Sequence, residues 1–236
     1  MYIYVQVGTD RRNELVQHFS YASMSRHQPA DIVVVDYGLG NLRSATRGLE
    51  RAGATVTISD NPDRLETGDG IVLPGVGAFS EGMENAGPFR DALAAAANRE
   101  QPIFGICLGM QMLLSSSEEA AHAGEGEVEG LDFIPGHNRR FEGSIKVPHM
   151  GWNELQVDRH HPILDGVDGE YAYFVHSYYA DPDDTEAIAA TTEYGDAFPA
   201  VIANESGTIF GTQFHPEKSG ETGLQILHNF VDYCVK

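Results

Sequence analysis

The chain has 236 residues, with 35 Asp and Glu against 15 Lys and Arg, and a formal net charge of −20 at pH 7 with neutral histidines. That balance excludes nucleic-acid binding through a basic face and argues against an anionic membrane surface as partner, because both need clustered Lys and Arg. At 42 % hydrophobic and 21 % charged residues, with 11 Phe and 10 Tyr, the composition is that of a globular chain with one sizeable core.

Residues 1–30 stand outside the pattern that follows them. MYIYVQVGTDRRNELVQHF lacks a basic flank leading into an apolar core, and no run approaches the roughly 18 apolar residues of a spanning helix, so a cytoplasmic protein is expected. SYASMSRHQPA is polar and without a clear period. The segment reads as an N-terminal extension, either a mobile tail or a start assigned upstream of Met24, with an extra strand as the alternative.

From Asp31 the chain alternates short β-branched runs with helical segments: IVVVDY, then NLRSATRGLERAG, ATVTIS, GIVLPG, the alanine-rich RDALAAAANRE, and PIFGIC. Continuous apolar strands alternating with helices indicate a parallel sheet covered on both faces. The glycine- and glutamate-rich stretch from Ser115 to Gly130 reads as a surface loop. Beyond Leu131 strands dominate, in YAYFVHSYYA, EAIAATT, AVIAN and GTIFGTQF, before a closing helix ETGLQILHNFVDYCV. The expected fold class is α/β, a single domain over residues 31–236 with a mixed, mainly parallel open sheet flanked by helices. Its acidic surface would repel itself in dilute buffer, whereas molar salt screens charge to about 3 Å. A salt-adapted protein is expected, with an unfolding midpoint that rises in molar salt; an ordinary acidic protein is the plainer alternative.

Cysteine chemistry is the first candidate activity. The chain has two cysteines, Cys107 and Cys234, too few for a disulfide framework. Gly105-Ile106-Cys107-Leu108-Gly109 follows an apolar strand and precedes the helical run MQMLL. This is a nucleophile elbow with cysteine in place of serine: flanking glycines permit a sharp turn, and the helix start favours thiolate and offers the Leu108 N–H to an oxyanion. A small buried cysteine at a tight turn is the plainer alternative. A base is available in Gly211-Thr212-Gln213-Phe214-His215-Pro216-Glu217-Lys218, where His215 and Glu217 sit two apart on one side of extended chain. Glu217 can orient the His215 ring while His215 exchanges a proton with Cys107.

Leu73-Pro74-Gly75-Val76-Gly77-Ala78-Phe79 is a second glycine-rich turn after a strand, read either as half of an oxyanion hole or as a plain strand-to-helix turn. Gly38-Leu39-Gly40 lacks the third glycine of a dinucleotide fingerprint, so no nucleotide cofactor is expected. His160 and His161 are adjacent, and His18, His27, His122, His137 and His228 have no helix-spaced or Cys-paired partner, so no metal site is expected. Cys234 lies on the closing helix and is expected against the sheet.

PGVGAF, GICLGMQ and HPEK in this order resemble the class I, triad-type glutamine amidotransferases over residues 31–236. Within them, DYGLGNLRS, LPGVGAF, KVPHMGWN, FVHSYY and GTQFHPEKSG are similar to the glutaminase subunits of imidazole glycerol phosphate synthases, of histidine biosynthesis. The resemblance implies that Cys107 attacks the amide of glutamine, His215 passes the proton to ammonia and Glu217 holds His215. It further implies an oxyanion hole from Gly75, Val76, Gly77 and Leu108, and a glutamine pocket lined by Gln111, His176, Ser177 and Tyr178. The implied partner is a (β/α)₈-barrel cyclase subunit, which uses the ammonia to make imidazole glycerol phosphate and aminoimidazole carboxamide ribotide. Facing that partner would be Asn41, Pro148, His149, Met150, Trp152, Asn153, Tyr173 and Lys218. The residues of KVPHMGWN taken alone leave Trp152 either an interface anchor or a core residue of a hairpin. Rival readings are the glutaminase subunit of another synthase, such as anthranilate synthase, a silent binding module, and a cysteine peptidase.

Overall fold

Burial alternates along the first strand: Ile32 and Val34 enter one apolar cluster and Val33 and Val35 another, as two faces of one strand require. The computed structural model describes residues 29–119 and 126–235. In chain order the elements are β1 (Asp31–Val35), α1 (Leu42–Arg51), β2 (Thr55–Ser59), β3 (Gly70–Gly75), α2 (Phe79–Asn85), α3 (Arg90–Asn98), β4 (Ile103–Cys107) and α4 (Leu108–Met112). There follow β5 (Leu114–Ser117), β6 (Val128–Glu129), β7 (Ile134–Arg140), β8 (His149–Glu154), β9 (Gln156–Val157), β10 (Tyr171–His176) and β11 (Tyr178–Pro182). The chain ends in β12 (Ile188–Tyr194), β13 (Asp196–Ala203), β14 (Ile209–Thr212) and α5 (Gly220–Cys234).

Among the described residues eight strands form the central sheet in the order β2-β1-β3-β4-β14-β13-β12-β9. Its first five strands are mutually parallel and the last three join antiparallel, so the sheet is mixed and mainly parallel, as expected. On one face Ile32, Val72, Phe104 and Phe210 pack with Leu49 of α1 and Phe230 of α5. On the other, Ile71, Leu73 and Ile103 meet Phe79 of α2, Leu93 of α3 and Met110 of α4. Each such side chain contributes about 1.5–3 kcal/mol by leaving water. α5 buries Gly223, Ile226, Leu227, Phe230 and Val231, the i, i+3, i+4 stripe of a one-sided helix.

Three local expectations change. The Ser115–Gly130 stretch is not wholly a surface loop: Leu114–Ser117 is a strand of a second sheet, ordered β11-β7-β5-β6, and Ser116 and Ser117 are buried. Their small polar side chains disguise the strand, because burial is satisfied by hydrogen bonds rather than apolar area; Ser117 Oγ, for example, accepts from the Glu119 N–H. YAYFVHSYYA is two strands, since the chain leaves the β10–β8 ribbon at Ser177 and joins β7 as β11. The helix after Cys107 is only five residues long, so the dipole expected at its start is short. The reading of residues 1–30 lies outside the described residues, apart from Pro29 and Ala30.

The sheet positions the site through register. β3, β4 and β14 run parallel, with Gly75 beside Cys107 and Thr212 beside Ile106, so their carboxyl ends open on one edge. Such an edge is where open α/β sheets bind ligands.

Candidate active site

Cys107 ends β4 and starts the turn into α4 with φ +55 and ψ −107, a conformation that costs a non-glycine residue about 1–3 kcal/mol. Packing on both sides holds it there. A Cβ on Gly105 would stand 2.6 Å from the Gly109 oxygen and the Met110 nitrogen, and one on Gly109 would collide with the Leu73 carbonyl of β3. The two flanking glycines are therefore demanded by backbone contact across the turn. The first N–H groups of α4, beginning with Leu108, have no acceptor within the helix and are oriented for an anion.

His215 and Glu217 follow β14 and are almost completely buried, with His215 Nδ1 3.0 Å from Glu217 Oε1. A carboxylate there requires Nδ1–H, which leaves Nε2 as the basic nitrogen. Among the described residues Nε2 has no fully formed hydrogen bond, and Cys107 is a neighbour whose interaction raises the His215 pKa. Burial by itself lowers the His215 pKa, but interactions with Cys107 and Glu217 outweigh it and raise the value to about 9. The arrangement stabilises an imidazolium beside the sulfur. A backbone clasp fixes the base: His215 N–H donates to the Tyr173 carbonyl at 3.0 Å, Tyr173 N–H donates to Ser219 Oγ at 2.9 Å, and Ser219 Oγ–H donates to the His215 carbonyl at 2.7 Å.

A cavity of about 300 Å³ opens over Cys107 and His215. Val76, Gly77 and Leu108 form one side, and Gln111, His176, Ser177 and Tyr178 form another. Gly75 does not reach the cavity; it is buried where a Cβ would strike the Tyr37 hydroxyl and Leu108. Gly77, at φ +118, occupies backbone space that favours glycine. Larger concavities lie elsewhere, among them one of about 560 Å³ beside Phe141 and Tyr194, but the triad residues line neither it nor the hollow of about 790 Å³ beside Phe133.

Four residues at the site were not singled out from the sequence. Gln213 is fully buried, donates from Nε2 toward Cys107 Sγ at 3.7 Å and accepts from Gln111 Nε2 at 3.1 Å. It precedes His215 by two, the same i, i+2 relation that selected Glu217, so its position was readable. Glu119 lines the cavity and accepts from the Phe79 N–H at 2.5 Å, holding the start of α2 behind the PGVG turn. Asn138 donates to the carbonyls of Gln111 and Ser116 at 2.9 and 3.0 Å. Tyr37 donates to the Pro74 carbonyl at 2.7 Å, and burial, with the Cys107 charge adding to it, pushes its pKa well up. These last three converge only through tertiary structure.

The residues expected at a partner face separate into two kinds. Met150 and Trp152 on β8 are 61 % and 54 % exposed, which removes the core alternative for Trp152. Trp152 meets the Tyr173 ring edge-on at 5.9 Å, and Tyr173 belongs to the His215 clasp. Asn41, Pro148 and Lys218 are exposed, Asn153 and Tyr173 half-buried. His149 differs: it is 1 % exposed, stacked between Phe174 and Tyr194, and offers no surface to a partner. The reason is its register opposite His176, which turns it into the aromatic layer while Met150 and Trp152 alternate outward. Among the described residues, no three His, Cys, Asp or Glu side chains converge as metal ligands. Cys234 is partly buried on α5 near Gly70 of β3, and burial raises its pKa.

Residues 33–234 match the glutamine amidotransferase class-I family. The imidazole glycerol phosphate synthase subunit HisH of Natronomonas pharaonis is 72 % identical over 207 residues, covering 88 % of this chain and 96 % of the relative. That of Halobacterium salinarum is 72 % identical over 205 residues, covering 87 % and 94 %. Both relatives come from halophilic archaea, in keeping with the acidic surface. The PurLQS structure from Thermotoga maritima shares the fold at 23 % identity, with a TM-score of 0.66 over 87 % of this chain and 99 % of that one. With the cysteine elbow and its histidine and glutamate at one sheet edge, the chain belongs to the class-I glutamine amidotransferases and, within them, to the HisH glutaminase subunits of imidazole glycerol phosphate synthase.

Proposed function

We propose that Cys107, His215 and Glu217 hydrolyse glutamine and that the ammonia passes to a (β/α)₈-barrel cyclase subunit seated on the β8–β10 ribbon. The observation that carries this reading is the buried His215, held by Glu217 at one nitrogen and facing Cys107 with the other. Cys107 Sγ attacks the side-chain amide carbon while the oxyanion is met by the Leu108 N–H and the Val76–Gly77 backbone. Collapse breaks the C–N bond, and His215 delivers its proton to the leaving nitrogen, releasing ammonia. Water then attacks the glutamyl thioester, gives a proton to His215, and expels Cys107 to leave glutamate. Glu119, with its carboxylate on the cavity wall, suits the α-ammonium of the substrate.

Ammonia released into bulk water is protonated and loses its nucleophilicity, so a partner must cover the route. Exposed Met150 and Trp152 supply the apolar anchor for it, with Asn41, Pro148 and Lys218 also available at the surface. No helix among the described residues is long and apolar enough to cross a membrane, and the proposed setting is the cytoplasm. The function would then be carried by residues 31–236. The test is an acid quench of the chain turning over isotopically labelled glutamine with the barrel subunit present, followed by mass spectrometry of the Cys107 peptide. A labelled γ-glutamyl adduct on Cys107, absent from Cys107→Ala, is expected. Glutamate production that persists in Cys107→Ala would overturn the assignment.

A further inference from the structure

Behind the cavity wall a chain of polar groups runs between two carbonyls that can only accept. The Tyr178 carbonyl lies 2.7 Å from His176 Nδ1, His176 Nε2 lies 3.0 Å from His149 Nδ1, and His149 Nε2 lies 2.8 Å from Asn153 Oδ1. Asn153 Nδ2 in turn donates to the Glu193 carbonyl at 2.6 Å. That makes four contacts of hydrogen-bond length. A neutral imidazole or an amide, used along such a chain, donates at one end and accepts at the other, so two imidazoles and one amide supply three protons. One contact is left without a proton, whichever tautomers are chosen and whichever way the amide is turned.

We propose that His149 and His176 share one proton beyond their neutral complement, and that this proton sets the direction of the Asn153 amide. With it, Nδ1–H of His176 meets Tyr178, Nε2–H of His149 meets Asn153, and an N–H···N bond joins the rings. Without it, Asn153 must turn its Nδ2 toward His149, which sets its own oxygen against the Glu193 carbonyl, or a ring must give up a contact. Asn153 lies on the strand that exposes Met150 and Trp152, whereas His176 lines the cavity over Cys107. The pair is thus a positioning device that couples the partner-facing ribbon to the wall of the catalytic cavity.

The surroundings set the opposing forces. Phe174, Phe198 and Phe141 enclose both rings, and Tyr194 stacks on His149 at 4.0 Å. Burial favours the neutral form of each ring taken singly, and the field of His215 disfavours charge on His176 further. Cys107, Glu119 and Lys218 share the cavity with His176. The rings taken together gain a hydrogen bond that neither gains alone, so they titrate as a unit. The chain is complete below the midpoint of that unit and loses one bond as pH rises through it.

The experiment is long-range proton–nitrogen NMR of the full chain labelled with ¹⁵N-histidine in molar salt, over about pH 5 to 9. A single-proton step that moves the nitrogens of both rings together is expected. In Asn153→Asp the carboxylate only accepts and cannot turn to donate, so the step should move up by about one pH unit, a tenfold gain in proton affinity. Two rings that keep fixed neutral tautomers throughout the range, or that titrate independently, would overturn the proposal. So would an Asn153→Asp step that fails to move upward.

Discussion

The carboxyl edge of the central sheet and the β8–β10 ribbon are built on opposite terms. At the sheet edge, Cys107, His215 and Gln213 are buried, and the backbone around the nucleophile is so close that Gly105 and Gly109 admit no Cβ. Among the described residues the ribbon has two strands and leaves Met150 and Trp152 more than half exposed. The first region is finished by the fold itself; the second has apolar area left for another surface to cover. The geometry of the proposed catalytic site therefore depends on this chain, and the proposed regulation runs through the ribbon. The two are mechanically joined, because Trp152 packs on Tyr173 and Tyr173 holds the backbone of His215.

Substitutions at the edge should separate chemistry from stability. Cys107→Ala removes the nucleophile and should lower glutamate release by about 10⁴-fold or more, with the thermal midpoint changed little because Ala keeps the Cβ and the same strained backbone. Glu217→Gln keeps the shape but loses the charge that orients and stabilises the imidazolium; a fall in kcat of about 10³-fold, with KM changed little, is expected in steady-state assays. Gly109→Ala drives a methyl group into the Leu73 carbonyl and should cost about 2–4 kcal/mol in denaturant unfolding. An Ala tolerated at Gly109 without loss would show that the elbow is looser than its contacts imply.

The same region has a pH signature. The folded His215 pKa, about 9, is raised above the unfolded histidine value, so its contribution to stability is full below about pH 6.5 and is lost as pH rises toward 9. Unfolding midpoints measured across that window should fall in the wild type and fall less steeply in Glu217→Gln, where the interaction with Cys107 remains. On the ribbon, Trp152→Ala should leave the unfolding free energy of the isolated chain within about 0.5 kcal/mol while weakening binding of the barrel subunit by about 2 kcal/mol or more in calorimetry. Loss of stability with unchanged binding would reverse the roles assigned to the two regions.

Legibility in the sequence followed the same division. The cysteine elbow could be read because two glycines must flank it, and the His215–Glu217 pair because extended chain places i and i+2 together. The parallel half of the sheet was readable from apolar runs such as GIVLPG and PIFGIC. Glu119, Asn138 and Tyr37 carry no local pattern, since each reaches the site from a different element. Ser115–Ser117 read as loop because serine is common in loops, although here it pairs with β7 and β6. Trp152 could not be assigned to surface or core from KVPHMGWN, because alternation on a strand does not say which face meets the protein.

The most direct test of an edge completed by the fold and governed through the ribbon is glutamate release from glutamine in molar salt. It should be measured for the full chain alone and with the barrel cyclase subunit and its nucleotide ligand. Release that rises by about tenfold or more with the ligand-bound partner, and only when Cys107 is present, is the predicted result. Cys107-dependent release at the same rate with and without the partner would contradict it.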